Sequence, residues 1–336
     1  MAPNRGRRRL LATLPMVATA LYLRPALADP TVHQASRQLM GTRLDVTVQA
    51  DRGTAVAQAM GAAFSEMQRL NDMLSRYRIG NPVHALHLAS GLQAVQVAPE
   101  MLCILQMAIQ RSQQSKGAFD ITVGAFTGWN FSDGTRTVPA ASELSQELPL
   151  VDYRQLELNK KTSTAYLRRR GMRIDLGGIA KLPILQAGMR VLKEHGIHNA
   201  MLSGGGDVLA SGQLQGRDWR VGLRDPRVPE HILGTINLKD GFVAASGDYE
   251  RFFIRDGQRF HHILNPQTGR PTIGPRGVAL VARTLDDING LGAAIMVAGA
   301  DAGRAMLKPL KSVDALIVEP NQDLWLSPGM GQRLQS

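Results

Sequence analysis

The sequence predicts an α+β fold, and three observations predict it. Segments that alternate apolar and polar residues, as half-buried strands do, are interspersed with segments whose apolar residues recur at helical spacing. The two kinds do not follow strict β-α-β order, which argues against a doubly wound parallel sheet. Composition supports a packed core, since the 336 residues are 44% hydrophobic and 20% charged, unlike a disordered chain.

Taken in order, residues 1–28 read as an address. Arg5, Arg7, Arg8, Arg9 and Arg24 lie here without any acid. Arg7-Arg8-Arg9-Leu10-Leu11, an apolar stretch broken by Pro15, and Ala26-Leu27-Ala28 have the order of a bacterial export signal: basic start, short apolar run, small-residue cleavage site. The pattern Arg7-Arg8-x-Leu10-Leu11 resembles the twin-arginine export motif, with an ordinary secretory signal as the alternative. The apolar run is short of the ~20 residues that span a bilayer. No Cys lies near the cleavage site, so no lipid anchor is expected. The expected mature chain starts near Asp29 and works in the periplasm. Its single Cys103 excludes an internal disulfide and a cysteine-built metal site. Lying in the apolar run Met101–Leu105, Cys103 is expected to be buried and inert.

Residues 43–49 alternate as a strand. From 55 to 75, Ala59, Ala63, Met67, Leu70 and Leu74 define one face of a helix. A second helix begins after Pro99-Glu100, places Leu102, Leu105 and Ile109 on one side, and stops at Gly117. Residues 132–150 are polar and read as a surface excursion. Met172–Leu176 is strand-like and leads into Gly177-Gly178. The helix that follows tolerates Pro183 in its first turn, aligns Leu185, Gly188, Met189 and Leu192, and ends at Gly196. Short strands are expected at 199–203, 207–210, 219–223, 234–238, 242–245, 260–264 and 277–283, and a last helix at 287–298.

The net charge of +11 invites a nucleic-acid reading. Removing the five leader arginines leaves +6. Aromatics are only 5%, too few for a base-stacking surface, and no nucleic-acid motif is present. Nucleic acid is therefore not an expected partner.

Five short segments carry the polar chemistry. Asp175-Leu-Gly-Gly-Ile-Ala-Lys181 runs through two glycines into a helix start. Glycines let backbone N–H groups approach an anion, the helix N-terminus adds partial positive charge, and Lys181 adds a full one. The segment is neither a Walker loop nor a dinucleotide fingerprint, and alone it is equally a tight turn. Ser203-Gly-Gly-Gly-Asp207 sets glycines beside a carboxylate. Ser246-Gly-Asp-Tyr-Glu-Arg251 and His261-His-Ile-Leu-Asn-Pro-Gln-Thr-Gly269 each follow an apolar strand. Gly117-Ala-Phe-Asp120 puts an acid and an aromatic past a helix end. His262 is the strongest proton-transfer candidate, since imidazole titrates near neutral pH; a structural His on a strand is the bland alternative. Together the five segments point to one shared ligand site.

With Met40-Gly-Thr42, Ser75-Arg-Tyr77 and Gly205-Gly-Asp207, these segments occur in the order seen in the ApbE family of FAD:protein FMN transferases, which the sequence resembles from about residue 34 to about residue 325. The exported form looks most like the NosX-type subgroup, associated with flavin maturation in the nitrous oxide reduction system. The resemblance implies an α+β transferase domain over 29–336, with mixed sheets and flanking helices in two intertwined subdomains. It also implies a periplasmic enzyme that binds FAD and Mg²⁺, cleaves the pyrophosphate and transfers FMN to a Thr hydroxyl of a membrane-bound or periplasmic redox protein, releasing AMP. By position in the family motifs, Met40, Tyr77, Ala118, Phe119, Asp120, Asp175, Lys181 and Ile263 would contact FAD, and His262 would act as base. The implied metal ligands are a main-chain carbonyl at Gly178 and an Asp and a Thr that fall here on Asn289 and Ala293.

At those last two positions the chain departs from the pattern. Asn289 offers a neutral side-chain oxygen and the Ala293 side chain none, whereas Mg²⁺ favours hard, preferably anionic oxygens. Asp286 and Asp287 lie nearby, but a slip of two or three helix positions turns a side chain to another face. Leu182-Pro-Ile-Leu-Gln186 replaces the family's Gly-Tyr-Ala-Val-Asp, and Asn265 the commoner Asp. Two functions therefore stand: a transferase, favoured by His262, Asp175 and Ser246–Arg251, and a catalytically weak periplasmic flavin-binding protein that aids flavoprotein or nitrous oxide reductase maturation or electron transfer, favoured by Asn289 and Ala293.

Overall fold

The computed structural model describes residues 31–51, 54–131, 134–228 and 230–335. The expected export signal lies outside the described residues.

Strands β1 (Thr31–Leu39) and β2 (Thr42–Ala50) form an antiparallel hairpin. Its two-residue turn is Met40-Gly41, with φ of 56° and 70°, the left-handed pair that matches strand twist. Helix α1 (Val56–Leu74) buries Ala59, Ala63, Met67, Leu70 and Leu74 as its spacing predicts. A short α2 (Pro82–Leu88) follows Asn81, whose side chain accepts the His84 N–H and donates to the Asp72 and Ser75 carbonyls. After β3 (Val95–Gln96), α3 (Pro99–Gln114) buries Leu102 and Leu105, with Ile109 half-buried. Cys103, however, is exposed. The helix turns about 100° per residue, so an apolar run in sequence wraps around it; the buried stripe is Met101, Leu102, Ile104, Leu105 and Ala108.

The excursion at 132–150 contains a helix, α4 (Ala141–Glu147), anchored by Leu144. Leu144 joins Phe126, Trp129, Phe253 and Phe260 in a small aromatic core. Strand β5 (Thr164–Leu167) lies between β3 and β4 (Leu156–Asn159) in a three-stranded antiparallel sheet. Met172–Leu176, expected as a strand, pairs with none. Helix α5 (Lys181–Glu194) then packs on α1. A Cβ on Gly188 would lie 2.6 Å from the Met67 sulfur, so glycine sets the closeness of that crossing.

Strands β6 (Asn199–Gly204), β7 (Asp207–Ser211), β8 (Trp219–Arg224), β9 (Ile232–Leu238) and β10 (Gly241–Gly247) follow, each at an expected position. The hairpin of β11 (Phe252–Arg255) and β12 (Gln258–His261) leads to β13 (Gly277–Ala282). The expected last helix at 287–298 is broken into α6 (Leu285–Ile288) and α7 (Leu291–Ala298). At the break Gly290 has φ of 73°. The chain continues through α8 (Ala300–Leu307), β14 (Asp314–Val318), β15 (Leu324–Leu326) and α9 (Pro328–Arg333).

The main sheet has the order β1-β2-β6-β7-β10-β13-β14-β15, and every neighbouring pair is antiparallel. One face packs Leu202, Leu209, Phe242 and Leu280 against α1, α3, α5 and α7 in the principal core. The other turns Val208, Val243, Val281 and Leu316 onto β8, β9 and α9. Both faces are thus covered at the sheet centre, which explains why β13 reads as an unbroken apolar run, Val278–Ala282. The expected α+β class holds.

Candidate active site

The polar motifs lie at the ends of these elements and close on one another. The unpaired Met172–Leu176 segment is held by side-chain and loop bonds instead of a ladder. The Asp175 N–H donates to the Ile121 carbonyl at 2.7 Å, and the Ile174 N–H donates to Nε2 of the buried His87 at 3.0 Å. Asp175 then turns its carboxylate to Arg76, which donates through Nη1 at 2.8 Å, and to the Gly177 N–H, also at 2.8 Å. Burial alone would raise the Asp175 pKa, but the Arg76 charge and these hydrogen bonds hold it below the usual carboxylate range. Arg76 also donates to the Gly124 carbonyl, so it ties the turn after α1 to this segment. Tyr77 beside it is 78% exposed, an aromatic face turned to solvent.

Lys181, the first residue of α5, donates to Oδ2 of the buried Asp207 at 3.1 Å and to the Gly205 carbonyl at 3.0 Å. An ammonium has three donors, so one remains for a ligand. The other oxygen of Asp207 accepts the Ala245 N–H, which fixes the end of β10 just before Ser246. On the other side of the Gly205 turn lies Thr42, whose methyl would be 3.3 Å from a Cβ there. The Met40 carbonyl next to it faces Arg251 Nη2 at 3.4 Å. Arg251 is exposed and forms no ion pair with any described acid. It is an available cation.

His262 follows from Arg251. Its backbone N–H donates to the Arg251 carbonyl at 3.1 Å, and its Nδ1 lies 3.4 Å from the same oxygen. Burial, with the Arg251 charge adding to it, pushes the imidazole down to about 4. The ring is therefore neutral at pH 7. With Nδ1–H turned to that carbonyl, Nε2 carries the lone pair, as a proton acceptor requires. Ile263 is buried beside it.

The Gly117–Asp120 residues serve the framework. Asp120 is buried, and its oxygens accept the Thr122 N–H at 2.8 Å, the Thr122 hydroxyl at 2.6 Å and the Tyr153 N–H at 2.8 Å. Burial raises its pKa despite those bonds. The expected ligand contact is thus a carboxylate already committed to protein donors. Phe119 is buried between two glycines: a Cβ on Gly178 would lie 3.2 Å from its ring, and one on Gly290 3.3 Å. Ala118 is half-buried. Arg76, Arg251, Asp207 and His87 are the site residues sequence reasoning left unassigned, although three of them stood inside the quoted motifs. A cavity of about 260 Å³ under the β8–β9 hairpin takes part of its wall from two of these motifs, through Ser203 and Gly206 and through Ser246, Tyr249 and Glu250.

The model of the ApbE family matches residues 40–317. The chain belongs to the ApbE family. The FAD:protein FMN transferase of Treponema pallidum (strain Nichols) is 31% identical over 315 residues, 88% of this chain and 87% of that protein. One from Klebsiella pneumoniae (strain 342) is 28% identical, covering 90% and 93%. The crystal structure of the ApbE protein from Thermotoga maritima superposes with a TM-score of 0.84 at 28% identity, covering 91% of this chain and all of that one.

The ApbE resemblance implies a divalent cation, and the residues at its expected place do not fit one. Asn289 is buried, and its Nδ2 donates to the Ile179 carbonyl at 2.9 Å and contacts the Met107 sulfur. The turn carbonyl that faces residue 289 is thus Ile179's, one residue beyond the expected Gly178, and it already has a partner. The Ala293 side chain brings no oxygen. Asp286 and Asp287 offer their main-chain carbonyls to Arg111, and the Asp287 carboxylate is engaged by Thr284 and Ser312. No cluster of three or more His, Cys, Asp or Glu suited to a metal occurs among the described residues.

Proposed function

We propose that this chain is an FAD:protein FMN transferase that works in the periplasm on a flavoprotein acceptor bearing a target Thr, after export through its basic leader. One observation carries the reading: the neutral His262 lies within charge–charge reach of Lys181, Arg251 and Asp175, the last of which holds the Gly177–Gly178 turn through the Gly177 N–H. A dinucleotide pyrophosphate needs cations and backbone donors where its charge develops. An incoming hydroxyl needs a base. In the proposed reaction the Thr oxygen bonds to the FMN-side phosphorus, the pyrophosphate P–O bond breaks, AMP leaves, and the Thr proton passes to Nε2 of His262.

Incubation of the purified protein with FAD and an acceptor domain tests this, with intact-mass analysis of the acceptor. The expected result is a Thr-linked FMN adduct and stoichiometric AMP; tight FAD binding without either product refutes transfer. That outcome would instead support the second reading, a flavin-binding protein of weak turnover, which the Asn289–Ile179 bond favours. The NosX-type role in nitrous oxide reduction rests on the leader alone, and a Thr-flavinylated partner of that system is its test.

A further inference from the structure

We infer that the protein's own Asn289 amide takes the place where the resemblance implies a cation, so that this chain shapes its flavin turn without a divalent ion held there. The inference rests on the flavin reading above, and three observations lead to it. First, the Asn289 Nδ2 to Ile179 carbonyl bond of 2.9 Å directly joins the Gly177–Gly178 turn to the α6–α7 break. A divalent cation held there would need oxygen lone pairs turned to it from the residues of both segments. An amide N–H₂ turned to the carbonyl presents a donor, not a lone pair, to whatever approaches from the turn.

Second, the break is locked from behind. Buried Arg111 donates through Nε to the Asn289 carbonyl at 2.8 Å, and through Nη2 to the Asp286 and Asp287 carbonyls at 2.8 and 3.1 Å. These are the orphan carbonyls of a short helix end. A fixed cation thus already sits within a few ångströms of residue 289. Third, Phe119 fills the space between Gly178 and Gly290, so turn and break are also packed together by an apolar wedge. Amide, guanidinium and ring jointly fix a geometry that an ion would otherwise have to hold. The anionic charge of the ligand then falls to Lys181 and Arg251, both chain cations.

The test compares the protein in Mg²⁺ with the protein in excess EDTA. Thermal unfolding without flavin should give the same midpoint in both, and FAD affinity, read by flavin fluorescence, should change less than twofold. The double variant Asn289→Asp, Ala293→Thr sets a carboxylate against the Ile179 carbonyl. It should unfold earlier than the parent in EDTA and regain stability in Mg²⁺. The inference is overturned if Mg²⁺ alone raises the parent's midpoint as much as the variant's, or if EDTA weakens the parent's FAD binding tenfold or more. Should the variant not fold in either buffer, the parent's two measurements still decide. Should the parent bind no FAD in either buffer, the flavin reading fails while the midpoint comparison still judges the cation position.

Discussion

The imidazole of His87 accepts the backbone N–H of Ile174 at 3.0 Å, and this bond takes the place of a strand partner for the segment that presents Asp175. Burial pushes His87 down to about 4, with the Arg173 and Arg76 charges contributing, so the ring is neutral and can accept. The folded value lies below the ordinary 6.5, so the unfolded chain binds the proton more readily. Stability from His87 is therefore complete above about pH 6.5 and lost as pH falls from there toward 4, by about 3 kcal/mol in full. His261 and His262 are lowered too and act with the same sign. In His87→Gln the amide oxygen can accept the same N–H without titrating. Its loss of stability between pH 7 and pH 4.5, by denaturant unfolding, should be smaller than the parent's. His87→Leu should be less stable than either at pH 7, by about 1–3 kcal/mol for an unsatisfied buried donor. Equal pH dependence in parent and Gln variant would refute the assignment.

Lys181 and the buried Asp207 form a pair that both holds the β6–β7 turn and faces the ligand, and the two roles are separable. Lys181→Met leaves a carboxylate buried without its cation, so it should cost about 3 kcal/mol and also lower FAD affinity at least tenfold. Adding Asp207→Asn removes the stranded charge. The double variant should recover most of the stability, read by its unfolding midpoint, while FAD affinity stays low. Recovery of both together would mean that Lys181 has no direct part in binding the ligand.

Much of this site was legible in the sequence because its backbone geometry is demanding. Glycines at 177, 178, 205 and 206 beside Asp175, Lys181 and Asp207 point to a ligand turn before any contact is known. Strands β6 to β10 and β13 were equally plain, being apolar segments bounded by turn residues. What the sequence concealed depends on long-range partners. Strand β1 is exposed along nearly its whole length, so no alternation marks it. The 172–176 segment has strand composition but is satisfied by His87 and Ile121 instead of a neighbour. The break at Gly290 hides inside an otherwise helical apolar pattern, because the Phe119 ring packed against it comes from far upstream. Cys103 shows the converse: an apolar neighbourhood in sequence, yet an exposed position on the helix.

Gly290 gives a stability test of that break. Its φ of 73° disfavours any side chain, and a Cβ would meet the Phe119 ring at 3.3 Å and Arg111 Cγ at 3.2 Å. Left-handed backbone costs a non-glycine residue about 1–2 kcal/mol, and the crowding adds to it. Gly290→Ala should therefore lower the unfolding free energy by about 2 kcal/mol. Trimming the wedge in Gly290→Ala, Phe119→Leu relieves the crowding but not the backbone strain. The two substitutions should consequently be non-additive, as neighbours in contact are; strict additivity would contradict the packing described.

His262 should separate chemistry from binding. Its ring is neutral down to about pH 4, so the base form required for transfer is present across the neutral range and is lost only as pH falls toward that value. On this limb kcat/KM for FMN transfer should stay level from pH 8 to about 5.5 and decline below about pH 5. Replacing His262 by Ala removes the acceptor for the Thr proton while leaving Lys181, Asp175 and the glycine turn in place. Loss of a positioned base costs about 10²–10⁴ in rate, so transfer should fall by that factor. FAD affinity should change less than threefold, measured by fluorescence titration on the same preparation. The residual activity should also lose its acid limb, since the group that titrates there is gone. An equal fall in affinity and turnover, or an acid limb that persists in the Ala variant, would place the base elsewhere and leave His262 as a packing residue beside Arg251.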